Sequence, residues 1–128
     1  MKAQDFYNPF VKLLLRSPLH GLMSGGTLLL TFAGRRSGRP YTTPVSYARD
    51  GNSVTLITNR QHGWWRNLRG GAPVQARLKG RDLSGTARVV EAGPAAVLAA
   101  VQTVYRGIPP ARAAQLVPEA VLIAIELD

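Results

Sequence analysis

The sequence predicts an α+β fold built on an antiparallel β-barrel, with helices over its openings. Three observations lead there. The apolar segments are short and rich in Thr, Val, Ile and Leu, as strands are. Two pairs of them are joined by tight-turn sequences, RDGN and KGRD, that suit hairpins. The alternation of strand and helix that builds a parallel dinucleotide-binding sheet is absent. GRRSGRP lacks the third glycine of GxGxxG and leads into a strand, not a helix.

Taken in order, DFYNPFVKLLLRSPLHGLMSGG places Phe6, Phe10, Leu13 and Leu14 at helical spacing, with Asp5 as N-cap. This predicts an amphipathic helix over roughly residues 6–16, with Lys12 and Arg16 near its polar side. Such a helix packs on its own domain or touches a membrane surface. GTLLLTFAG is a strand, RRSGRP a turn and YTTPVSYAR a second strand, in which Pro44 suggests an edge or a bulge. SVTLITN follows as the third strand. HGWWRNLRGG reads as a short helix stopped by its double glycine. APVQARLKGRDLSGTARVVE holds two strands around KGRD, with Val74, Ala76 and Leu78 alternating with Gln75, Arg77 and Lys79. GPAAVLAAVQTVYRG is an alanine-rich helix over 94–105, IPPARAAQLVP a further helical turn and VLIAIEL a closing strand.

The 128 residues fit one domain spanning 1–128, with 1–20 as the helix and linker. Such a length buries a core without disulfides or metal. There is no cysteine, and His20 and His62 show no ligand spacing, so no metal is expected. No secretory leader or bilayer-spanning run is visible, and a cytoplasmic location is the expectation. Sixteen Lys and Arg against seven acids give a net charge of +9, which calls for an anionic partner. Aromatic residues make up only 7% and no recognised module appears, so nucleic acid is not expected.

Two clusters carry the chemistry. In GRRSGRP, Gly34 and Gly38 let backbone approach a ligand, Ser37 adds a hydroxyl, and Arg35, Arg36 and Arg39 supply positive charge. Successive N–H groups of such a turn can form an anion nest. In NRQHGWWRNLRGG, Arg60, Arg66 and Arg69 flank Trp64 and Trp65. At least one indole is expected in the core, and a planar wall for a planar ligand is the functional alternative. Asn67 either satisfies backbone or binds ligand. The acids form no pair for general acid–base work, so an enzyme reading places the hard chemistry on a cofactor.

In combination, GRRSG, TTP, the mid-chain DG hairpin, WWRNL and the later PVQARL resemble the deazaflavin (F420)-dependent nitroreductase family of split β-barrel flavin and deazaflavin oxidoreductases. The resemblance runs from about Asn8 to Leu127. It implies a six-stranded split barrel that binds coenzyme F420 and transfers hydride to an enone, quinone or nitro compound. It also implies that Arg35, Arg36, Ser37, Gly38 and Arg39 face the cofactor's anionic tail. Thr42, Thr43 and Pro44 match the next strand, and Thr58, Asn59 and Arg60 match the strand end beside the ring system. Trp64, Trp65 and Asn67 match the adjoining W-x-x-N-L helix, and Tyr105 a tyrosine on the substrate side of the pocket. Tyr105 and His62 are the candidate proton donors. Where many members carry arginine after the proline of the turn, this chain has Tyr41. The rival readings are a split barrel holding FMN, FAD or haem, and a non-enzymatic fatty-acid or lipid binder. Two barrels pairing as a homodimer is a further expectation.

Overall fold

A computed structural model describes residues 26–128. The helix expected over 6–16 and its linker lie outside the described residues. Six strands form: β1 (Thr27–Ala33), β2 (Pro40–Asp50), β3 (Ser53–Asn59), β4 (Ala72–Leu78), β5 (Arg81–Val90) and β6 (Ala120–Leu127). They close into a barrel in the order β1-β2-β3-β6-β5-β4, and every neighbouring pair is antiparallel. This is the predicted α+β antiparallel barrel.

Side-chain alternation along each strand sorts residues to the two faces of the wall. Leu28, Leu30 and Phe32 of β1 face inward with Val54 and Leu56 of β3 and Ile123 and Ile125 of β6. Most of these side chains are at most 1% exposed. Burying each such residue contributes about 1.5–3 kcal/mol, so this interior dominates the stability of the described residues. On β4, Val74, Ala76 and Leu78 are the buried positions, as the alternation predicts.

The wall is not uniform. Residues Pro40 to Ser46 of β2 pair with β1, but pairing with β3 begins only at Ser46, opposite Ile57. The stretch Thr42–Val45 therefore has a neighbour on one side alone, and the wall opens there against Thr58 and Asn59. Pro44 sits in this one-sided stretch, opposite Leu29. A residue without an N–H is tolerated there because no second ladder needs its donor. The strand is internal to the barrel, yet its first half behaves as an edge.

Helix α1 (Pro94–Val104) and helix α2 (Pro110–Leu116) pack against the outer wall of the barrel. Val97, Val101 and Val104 form an i, i+4, i+7 stripe that packs with Ala113 on Ile57 and Ala120, a second core outside the barrel. A flat apolar stripe needs a flat apolar partner, and the outer faces of β3 and β6 supply one. A short 3-10 helix, Gly63–Leu68, instead sends Trp64, Trp65 and Leu68 into the interior cluster. On β5, Gly85 lies opposite Leu127, where an added Cβ would sit 2.5 Å from the Glu126 carbonyl oxygen.

Candidate functional site

The strand directions bring the loop after β1, the segment after β3 and the end of β5 to one end of the barrel. The six arginines Arg35, Arg36, Arg39, Arg60, Arg66 and Arg69 all lie there. Among the described residues the ion pair is Arg77–Asp82, at 2.9 Å, so none of the six is neutralised by a carboxylate at that range.

The Gly34–Arg39 loop is held from within. The Gly34 N–H donates to the Arg39 carbonyl at 2.8 Å and the Gly38 N–H to the Gly34 carbonyl at 2.7 Å. The Arg39 N–H donates to Ser37 Oγ at 3.2 Å. The Arg35 N–H donates to Asn67 Oδ1 at 2.9 Å. These four N–H groups are engaged inside the protein, so the anion nest expected of the whole turn is limited to its remaining donors, the consecutive Arg36 and Ser37 N–H groups, beside the guanidinium charge.

Asn67 joins the two sequence clusters. Its Nδ2 donates to the Trp64 carbonyl at 2.8 Å while its Oδ1 holds Arg35. Arg35 Nη1 also donates to the Arg66 carbonyl at 3.3 Å. The loop and the 3-10 helix thus wall one cavity of about 360 Å³, lined by Gly34, Arg35, Arg36, Ser37, Tyr41, Gly63, Arg66 and Asn67. Beneath it the aromatic rings pack in sequence. Tyr41 lies 6.2 Å from Phe32, and Phe32 stacks on Trp64 at 5.6 Å. Gly34 admits the Tyr41 ring, since a Cβ there would meet Tyr41 Cε2 at 2.5 Å. Tyr41 is 8% exposed, so the phenol at this position is a core residue under the loop.

A second cavity of about 350 Å³ occupies the opening between β2 and β3. Thr27, Pro44, Val45, Ser46, Ile57, Thr58, Asn59, His62 and Tyr105 line it. Its walls meet those of the first cavity at the consecutive residues His62 and Gly63. His62 Nδ1 stands 3.5 Å from Thr58 Oγ1, too long to hold the imidazole firmly. The side chain of Asn59 is turned back on its own chain, Oδ1 accepting the Gln61 N–H at 2.8 Å.

The structure therefore gathers Arg35, Arg36, Ser37 and Asn67 at one cavity, and Pro44, Thr58, Asn59, His62 and Tyr105 at the next. Other expected residues stand apart. Thr42 lies on the outer face, sharing a hydrogen bond with Thr31 at 2.9 Å. Thr43, opposite Leu30, points to the interior. Gly38 and Arg39 are exposed on the far side of the loop and line neither cavity. Trp64 and Trp65 are each 3% exposed and pack in the core, and neither lines these two cavities, although Trp65 borders a separate groove. Arg60 faces away, beyond Trp65. Gly34, read from sequence as a point where backbone approaches a ligand, lines the basic cavity, and Arg66, Tyr41 and Gly63 line it without having been singled out as ligand-facing. The signal for Arg66 was its position next to Asn67, visible only once that amide is known to tie the helix to the loop.

Among the described residues, no three His, Cys, Asp or Glu side chains come together as a metal site. No helix of the described residues is long and apolar enough to cross a membrane.

A family model described as F420H(2)-dependent quinone reductase matches residues 17–109. The F420H(2)-dependent quinone reductase Rv1261c of Mycobacterium tuberculosis is 30% identical over 70 residues, which cover 51% of this chain and 47% of that protein. The chain thus spans about half the length of the curated relatives it matches. Among solved structures, an F420-H2 dependent reductase, FDR-A, superposes with a TM-score of 0.60 at 17% identity, over 80% of this chain and 95% of that one. The haem storage protein HutZ of Vibrio cholerae gives 0.58 at 14% identity, over 94% and 89%. The general stress FMN/FAD binding protein of Xanthomonas citri gives 0.56 at 20% identity, over 98% and 85%. At these identities the three structures share the barrel fold and no more. Because the family model covers well over half of the sequence, the chain belongs to the F420H(2)-dependent quinone reductase family.

Proposed function

We propose that this protein is a reductase that uses coenzyme F420 and passes hydride to a small electron-poor acceptor of the quinone class. The observation that carries the reading is the pairing of two cavities lined by the consecutive residues His62 and Gly63, one walled by arginines that have no carboxylate partner among the described residues and the other by the opening in the barrel. A cofactor with an anionic tail and a flat ring system needs that combination.

The residues present fit such a group. Arg35, Arg36 and Arg66 carry charge to the first cavity, and Ser37 adds a hydroxyl. Guanidinium groups suit phosphate and carboxylate because their donors pair with two oxygens at once. The Gly34 cradle brings backbone close to the cavity, where any side chain would collide with Tyr41. The second cavity is bordered by the apolar Pro44, Val45 and Ile57 and by polar side chains that include Thr58, Ser46, Asn59 and His62, a mixed slot able to contact both a ring face and its polar edge. When bound, the deazaflavin supplies the two-electron hydride chemistry, and the protein's task is orientation and exclusion of water. His62 and Tyr105 both border the slot and are the side chains able to deliver a proton to a reduced acceptor there.

The test is a fluorescence titration of F420, with FMN as the parallel ligand, on the wild-type chain and Arg36→Ala. F420 binds more tightly than FMN. Loss of Arg36 weakens F420 by about tenfold at low salt, and salt weakens the wild type in the same direction. Equal affinity for the two ligands would overturn the choice of cofactor. An affinity indifferent to both salt and Arg36 would overturn the placement of the tail.

A further inference from the structure

A groove of about 230 Å³ shares no lining residue with the proposed cofactor cavities, and the reductase reading does not use it. Its floor is apolar, made by Val89, Val97, Val117, Val121 and Leu122 from β5, α1, the turn before β6 and β6 itself. At its rim stand Arg60 and Arg69, on either side of Trp65.

The rim is an unusual concentration of charge. The guanidinium carbons of Arg69, Arg66 and Arg60 lie 4.9, 5.0 and 6.0 Å from the centre of the same Trp65 ring. The indole is fixed: it is 3% exposed, and its Nε1 donates to the Arg60 carbonyl at 3.0 Å. The π face offsets part of the repulsion among three like charges, but it supplies no counter-charge. None of the three has a carboxylate within salt-bridge distance among the described residues. Glu91 is the acid that lines the groove, and it leaves a positive balance at the rim.

We propose that this groove is a second ligand site, which takes a short amphiphilic monocarboxylate. The head lies between Arg60 and Arg69, where guanidinium donors pair with both carboxylate oxygens. The tail lies on the valine floor and Leu122. The volume selects size: 230 Å³ is about the liquid volume of eight water molecules, below the range of drug-sized pockets and too small for a polycyclic cofactor. Glu91 selects charge, because a dianion beside it meets more repulsion than a monoanion does. The site is separate from the proposed F420 cavities and stands whether or not that reading does.

Isothermal titration of the full chain with octanoate, acetate and 1-octanol tests this. Octanoate saturates one site per chain. Acetate, lacking the tail, and 1-octanol, lacking the charge, each bind weaker by about tenfold or more. Arg69→Gln and Arg60→Gln each weaken octanoate by about tenfold, with unchanged far-ultraviolet circular dichroism. Arg36→Ala, in the other cavity, leaves octanoate affinity unchanged. Absence of saturable octanoate binding would overturn the proposal. So would 1-octanol binding as tightly as octanoate, wild-type affinity in both rim variants, or a loss in Arg36→Ala equal to that in Arg69→Gln.

Discussion

Asn67 accepts the backbone N–H of Arg35 at 2.9 Å, and by this bond the arginine loop is fastened to the 3-10 helix. The same amide donates to the Trp64 carbonyl, so both ends of the side chain are committed to structure. Asn67→Ala removes both bonds and is expected to destabilise the fold by about 1–2 kcal/mol. It also loosens Arg35 at the basic cavity, so F420 affinity falls as well. Asn67→Asp keeps the acceptor and loses the donor, and falls between the two. Urea denaturation alongside the F420 titration checks the order; wild-type values for both in Asn67→Ala would contradict it.

Gly34 and Tyr41 form a second coupled pair. A methyl group at Gly34 meets the Tyr41 ring, and that ring cannot swing away because it is buried against Phe32. Gly34→Ala is therefore expected to cost about 1–3 kcal/mol through overpacking. Combined with Tyr41→Leu, which removes the obstructing edge, the added cost of the alanine shrinks. A thermodynamic cycle of the two substitutions measures that coupling, and additive effects would contradict the contact.

Trp65 holds three guanidinium groups and the Arg60 carbonyl. Trp65→Phe keeps a ring in the core but loses the indole donor and the stronger π face. The expected destabilisation is about 2–3 kcal/mol, with less of it at high salt, where the repulsion among the arginines is screened. Equal losses at low and high salt would show that packing alone is responsible.

Tyr47 gives a pH dependence. Burial raises its phenol pKa, and the nearby Arg49 charge opposes that by a smaller amount. An unfolded tyrosine titrates near about pH 10. The folded state holds its proton more tightly, so this contribution is intact below about pH 10 and is lost as pH rises through the folded value. Stability therefore declines above about pH 10, and Tyr47→Phe declines less steeply. Parallel urea midpoints for both proteins across that range would contradict the assignment.

Much of the barrel was legible in the order of residues. Period-two alternation in Val74, Ala76 and Leu78, the DG and KGRD turns and the alanine-rich run before Tyr105 are local signals, set by backbone geometry that neighbours along the chain determine. The sequence by itself also determined the chemistry on offer: an arginine-rich turn, a tryptophan-bearing helix and no carboxylate pair. Where those groups face was decided only by tertiary structure. Thr42 and Thr43 are adjacent in β2 yet turn to opposite faces, and which face is interior follows from the register with β1. Arg60 and Arg66 flank the same tryptophan, yet one lines a valine groove and the other a basic cavity. Pro44 marked the half-paired stretch of β2 as an edge or bulge, but its extent was decided by tertiary structure, because β2 leaves β3 at Ser46 while β3 continues to Asn59 against β6. Local composition determines which elements form; closure of the barrel decides which side chains share a space, because strand partners and loop contacts are made between residues far apart in the chain.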